Sequence, residues 1–368
     1  MVTPGSIPHT LLTALPQYIL YGLILLCGIF SAGAISSASD SLSDVVAKEQ
    51  VIREIALPEG LSSAQSIAVD AAGRVWFSEK IGKKLAVFDP ITNEFKTHTL
   101  PASWGNVGFS KFALSPDGDI WFTLNRWVED GKDPHMLGRF TPADGYFTKY
   151  NLSIGVLPKE ILVDARGMIW FSAYNKNGLY RVNPKNFAIK GYAIPAANSY
   201  PSGLASDRNG NIWFSAANAN KIGKFVPGKD VFYEYELPTP FANPGAISID
   251  KDGKVWFVES SANRLGLFYP DLQRFDEAII PTPNSSPNAL VHDSSGNVWF
   301  LEYRGNKVGI FNPKSAIFRE FTIPNFSSLP GDMAIDHKRS ILWFTQGSTE
   351  AKRLGMLSMD KVLASPGK

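Results

Sequence analysis

Seven of the nine tryptophans in this chain are followed by Phe and preceded by Ile, Val or Leu: Trp76, Trp121, Trp170, Trp213, Trp256, Trp299 and Trp343. The intervals between them are 45, 49, 43, 43, 43 and 44 residues. A near-constant period of this size marks a repeat architecture, in which stacked units bury a core that none of them could bury alone. The clearest unit runs Ala246 to Asp250, Lys254 to Glu259, Asn263 to Phe268 and Arg274 to Ile279. These are four short β-type runs separated by Gly, Pro, Asn and Asp, with no helical periodicity between them. Four strands per unit and seven units predict an all-β chain, a seven-bladed β-propeller.

The two ends of the repeat array predict how the ring closes. The last unit stops after its third strand, Leu354 to Ser358, while the segment Val51 to Leu57 precedes the first unit and matches the fourth-strand pattern of Phe318 to Pro324. Val51 to Leu57 is therefore expected to complete the last blade, which removes an exposed sheet edge. The propeller is assigned to residues 51–360, with a tail at 361–368 and a linker at 41–50.

Residues 1–40 read differently. The first 39 residues carry no Asp, Glu, Lys or Arg, and Tyr18 to Ile35 is an 18-residue apolar run. As a helix it would span about 27 Å, close to the hydrocarbon thickness of a bilayer. It is read as a transmembrane or signal helix with its hydrophobic core at 18–35. The corresponding expectation is a membrane-anchored or secreted protein whose propeller is extracytoplasmic, with the membrane as partner through that helix. Asn151, Asn284 and Asn325 begin Asn-x-Ser acceptor sites, which function only after export.

Charge and cysteine content narrow the partners. A net charge of +2 excludes a strongly basic nucleic-acid binder, and one Cys permits neither an internal disulfide nor a Cys-rich zinc site. The Asp-x-x-Gly elements at Asp70, Asp207 and Asp250 are rich in oxygen donors, but hairpin turns with Gly at positive φ explain them without a cation.

The repeat contains Trp-Phe-(Ser/Thr/Val)-Glu elements, Asn220-Lys221-Ile222-Gly223, Asn306-Lys307-Val308-Gly309 and the closing Glu234-Tyr235-Glu236-Leu237-Pro238. With these it resembles the virginiamycin B lyase, or streptogramin lyase, family over about residues 51–360. The resemblance implies a lyase that opens a cyclic depsipeptide by elimination at its ester, with Mg²⁺ polarising the carbonyl and a His carrying the proton. It places the family's His residues at the start of late first strands, eleven residues before the Trp. The matching positions here are Gln65, Ser110, Lys159, Ser202, Gly245 and Asn288, and in the last blade Gly331 or Asp332. None is His. The acidic residue two before the last His becomes Leu329 or Pro330, and the Glu three after the last Trp becomes Gln346.

The remaining candidates are expected around one mouth, formed by the loops joining strands 4 to 1 and 2 to 3. Three residues after each Trp stand Glu79, Leu124, Ala173, Ala216, Glu259, Glu302 and Gln346. Glu79, Glu259 and Glu302 facing one channel could hold Mg²⁺ or Ca²⁺ through oxygen ligands, or each could pair with a local cation such as Lys80 or Arg304. Lys159, Asn288, Asp332 and Gln346 add polar groups of mixed sign. An enlarged loop in the second repeat, Asn125 to His135, brings Trp127 and His135 over the same mouth. His98, His292 and His337 fall in strands or far-side turns. Two readings follow. One is a monomeric propeller that binds a small molecule or a protein at its loop face, with no assignable chemistry. The other is a metal-dependent lyase or lactonase acting on a small-molecule ester.

Overall fold

A computed structural model describes residues 50–79, 82–126, 135–153 and 155–364. The expected anchor at 1–40, nearly all of the 41–50 linker, Lys80 and Trp127 lie outside the described residues. Among those described, no helix is long and apolar enough to cross a membrane.

The described residues form twenty-eight strands in seven four-stranded antiparallel sheets. Six of them are simple meanders of consecutive strands. In the seventh, Pro330–Asp336, Ile341–Gln346 and Arg353–Ser358 are joined on the outside by Ile52–Ala56, the first of the described strands. Ile52 pairs with Leu357 and Ala56 with Arg353. The amide of Ser358 bonds the Val51 carbonyl at 2.9 Å, and that of Leu57 the Lys352 carbonyl at 2.9 Å. The whole predicted segment thus closes the last blade. Innermost strands of neighbouring blades touch all the way round, including the first against the seventh, so the ring is closed. A short helix, Met359–Ala364, crosses the boundary expected between propeller and tail, and buries Met359 and Val362.

The repeated Trp is the inter-blade core. Trp299, fully buried, packs with Met333, Leu342 and Phe344 of the next blade. Its indole N–H donates to Asp293 at 2.9 Å, and four other blades repeat this bond from Trp76, Trp170, Trp213 and Trp256 to the Asp six residues earlier. The other carboxylate oxygen of each Asp takes the turn amides, as Asp70 does from Ala72 and Arg74 at 2.9 Å, while Gly73 supplies φ of 83°. The Asp-x-x-Gly elements are therefore turn locks that also satisfy a buried indole. The repeated Phe lies over the Gly of the third strand. A Cβ placed on Gly266 would come within 2.1 Å of the Phe257 ring, and Gly stands at that position in five of the seven blades, with Ala86 and Tyr180 in the other two.

The inner strands carry a further regularity. Each shifts register just after its first residues, as between Pro158 and Ile161 or Pro330 and Met333. Such a bulge turns side chains that would otherwise face neighbouring blades. In five blades a Ser or Thr two residues after the Trp satisfies the amide freed by it: Thr123 accepts from Lys111 N at 3.1 Å, Ser172 from Glu160 N at 3.2 Å and Thr345 from Asp332 N at 2.9 Å, while blades five and six carry Val258 and Leu301 there.

Candidate functional site

The bulges set what lines the loop-face end of the channel. Pro330 pairs with Gln346 just as Pro244 pairs with Glu259, and the extra residue of the last repeat falls in the hairpin between Asp336 and Ile341. Gly331 is therefore the equivalent of Asn288 and Gly245, and Asp332 sits one place further on. That second place holds Ser66, Lys111, Glu160 and Asp332 in blades one, two, three and seven.

These four residues make a continuous polar arc. The Asp332 carboxylate accepts from Ser66 Oγ at 2.9 Å and from the Ile67 amide at 3.2 Å, and it forms an ion pair with Lys111 Nζ at 2.9 Å. Lys111 thus reaches across blade one. Burial disfavours its charge, but Asp332 and Glu160 outweigh this and hold the ammonium above its usual range. Burial pushes the Glu160 carboxyl up, and Asp332 adds to this while Lys111 and Lys159 pull it back. Lys159 is lowered, first by burial and then by Lys111, against the pull of Glu160. Its ammonium lies 5.2 Å from the centre of the Tyr200 ring, which meets Tyr174 at 4.7 Å. Lys111 and Glu160 were not expected from sequence. The buried hydroxyl two residues after the Trp, which marks the bulge, is the signal that could have found them.

The other expected residues fall into separate roles. Asn288 donates its amide to the carbonyls of Pro330 at 2.9 Å and Gly331 at 3.2 Å, bridging blades six and seven. Gln346 donates to Glu54 at 2.7 Å. His135 directly precedes the third strand of blade two, and its carbonyl accepts from Leu152 at 2.9 Å. His98 stacks on Trp76 with centroids 6.0 Å apart, inside the inter-blade core.

Glu79, Glu259 and Glu302 end the second strands of three different blades, and each is buried. Glu79 accepts from the Ser62 amide at 2.6 Å and its hydroxyl at 2.8 Å. Among the described residues no group of three His, Cys, Asp or Glu comes together to hold a metal ion. Glu79, Glu259 and Glu302, expected as oxygen ligands of Mg²⁺ or Ca²⁺, are thus not gathered into such a group. The cations nearest in sequence pair elsewhere, Arg264 with Glu277 at 2.5 Å and Lys307 with Glu320 at 3.0 Å. Burial, and then the neighbouring Glu277, push Glu259 up to about 8. Burial and Glu320 push Glu302 to about 7. Gln346 donates an N–H to Glu54 from the position in blade seven that Glu259 holds in blade five beside Glu277.

This has a pH signature. The native state keeps a proton on Glu259 up to about pH 8, whereas the unfolded chain releases it above the ordinary value of 4.5. The stability from this group is complete below that lower value and is lost as pH rises through the higher one. Glu259→Gln keeps the donor without the proton. Urea unfolding at about pH 5 and pH 8.5 should show a smaller fall in stability for the variant than for the native chain. Equal falls would show that Glu259 is ionised in the folded state.

Seven closed blades around a channel with a charged arc at one mouth define the class: a β-propeller whose candidate site lies where the inner strands begin. The chain belongs to the virginiamycin B lyase family, whose model matches residues 50–356. Among solved structures, selenomethionine-substituted virginiamycin B lyase from Staphylococcus aureus is 26% identical with a TM-score of 0.73, the match covering 83% of this chain and 98% of that one. A catalytically inactive His variant of the Staphylococcus aureus enzyme with quinupristin matches with a TM-score of 0.74 at 26% identity over the same shares. No curated protein matches.

Proposed function

We propose that this chain is a ligand-binding propeller, and that its loop-face mouth takes a small molecule presenting an aromatic ring beside a carbonyl or carboxylate oxygen. The observation that carries this reading is the loss of proton carriers from the positions where the family resemblance puts them. Gly331 has no side chain there, and the amides of Asn288 and Gln346 are already engaged. An elimination needs a base beside the acidic C–H, and a carboxamide is not one at neutral pH. What the mouth does offer is recognition: Tyr174 and Tyr200 supply ring faces, and the Lys159 ammonium beside them supplies a charged donor.

A second reading, ester opening by a lyase or lactonase, draws on the same lysine. Lys159 occupies the blade-three counterpart of the family's His slot, and burial lowers its pKa toward that of a base.

Quinupristin, with and without Mg²⁺, separates these readings by chromatography, mass and intrinsic fluorescence. The expected result is intact quinupristin and saturable quenching, weakened about tenfold by Lys159→Ala. A ring-opened isomer of unchanged mass would identify a lyase, and a product heavier by one water a lactonase. Either would overturn the binding-only reading. Absence of saturable binding would remove the aromatic acyl ligand class.

A further inference from the structure

A second cavity lies away from the loop-face mouth. It is a cleft of about 600 Å³ between blades five and six, lined by hairpin turns of the opposite face together with Trp256, Ala278, His292 and Phe311. Its origin is a departure from the repeat. The fourth-strand residue paired with the central Leu, Ile or Val of the third strand is His98, Tyr150, Tyr192, Tyr235, Ala278, Phe321 and Ile55 in blades one to seven. Ala278 is the one small residue of the set.

The other blades show what normally fills that space. The Tyr192 ring stacks on Trp170 at 5.8 Å and meets Phe225 of the next blade at 4.5 Å. Tyr235 does the same with Trp213 at 6.3 Å and Phe268 at 4.5 Å. At the interface of blades five and six, Trp256 and Phe311 keep their usual separation of 6.1 Å, but the fourth strand of blade five contributes no ring; Phe311 meets Phe318 of its own blade at 4.5 Å and Trp256 meets His292 at 6.0 Å. A second departure falls at the same interface. His292 ends the inner strand of blade six, where Val69, Val163 and Ile249 end theirs in other blades. Its Nδ1 lies 3.1 Å from Ser248 Oγ, and its Nε2 is buried with no hydrogen-bond partner. Burial lowers its pKa, so the imidazole is neutral and its Nε2 can act as either donor or acceptor, depending on tautomer.

We propose that this cleft is a binding site for a small phenolic compound, whose ring takes the place that Tyr192 and Tyr235 fill in their own blades. The ring would lie against Trp256 and Phe311, and a phenol, which both donates and accepts, can meet the His292 Nε2 in either tautomer. Where the fourth-strand ring of the repeated stack is missing, a planar ligand can supply the contacts to Trp and Phe that Tyr192 and Tyr235 make in their own blades.

The probe is p-cresol, the side chain of tyrosine as a free molecule, titrated into the folded chain and followed by Trp fluorescence and by the imidazole NMR signals. Saturable binding in roughly the millimolar range is expected for a ligand of this size, with cyclohexanol, which is not planar, at least about tenfold weaker. His292 should be the imidazole that shifts most. Ala278→Phe, which supplies the missing ring, should weaken p-cresol at least about tenfold, with Ala278→Val intermediate. Lys159→Ala, at the opposite mouth, should leave it unchanged, which separates this site from the loop-face reading. Should Ala278→Phe fail to fold, the His292 shift and the Ala278→Val series decide. No saturation, equal affinity for cyclohexanol, unchanged affinity in Ala278→Val, or shifts centred on another histidine would each overturn the proposal.

Discussion

A chain that begins at residue 58 is expected to lose the cooperative unfolding of one that begins at residue 50. The difference is the outer strand of blade seven. Without Ile52–Ala56, the strand Arg353–Ser358 loses its hydrogen-bonded neighbour and becomes an open sheet edge. Ile52, buried at 2% exposure, leaves the core it shares with Leu357 and Phe344, and Ile55 leaves the one shared with Trp343 and Leu354. Each fully buried aliphatic side chain contributes about 1.5–3 kcal/mol, against a total stability of roughly 5–15 kcal/mol for a native protein. The shortened chain should therefore melt far lower and self-associate through the free edge, as read by calorimetry and size-exclusion chromatography. A peptide of residues 50–57 added in trans should restore part of the loss by strand addition. A monomeric shortened chain with the melting temperature of the longer one would mean that blade seven is stable on three strands.

The second large effect is expected from the repeated tryptophan. Trp299→Ala should cost about 3–5 kcal/mol, because it empties a site between two blades that neither can close without moving the ring. A comparison of two Phe variants isolates the hydrogen bond. Trp299→Phe gives up both ring volume and the indole bond to Asp293 at 2.9 Å, whereas the Trp343 indole nitrogen has no partner to lose. Trp343→Phe should thus be milder by about 1–2 kcal/mol, since a buried N–H without a partner is itself a cost. Equal losses in denaturant unfolding would mean that the Asp293 bond adds nothing beyond packing.

The fold was legible because its determinants are local and recur from blade to blade. A Trp that must bury its ring recurs in all seven, while a Gly on the next strand that must admit the Phe after the Trp, and an Asp that locks a turn and takes the indole bond, recur in five each. The candidate site was less legible. Asp332 and Gly331 could not be told apart from spacing alone, because the extra residue of the last repeat could sit in either the strand or its hairpin. Register resolved this in favour of the hairpin. Glu259 and Glu302 belong to the same side of the sheet as the Phe two residues before them, and they meet fourth-strand carboxylates within their own blades. Alternation along a strand says which residues share a side, but not what that side faces.

The sequence by itself determined seven blades, a ring closed by its own first strand, and a mouth stripped of the family's His residues, because each depends on which residue recurs at which interval. Only the tertiary structure decided which charges meet. Lys111 and Asp332 come from blades two and seven, and closure brings them to 2.9 Å over the inner strand of blade one. It decided as well that Ala278 and His292, from different blades, share one cleft. A repeat specifies each blade's contacts with itself and its neighbours, whereas contacts between non-adjacent blades and gaps between blades exist only once the ring has closed.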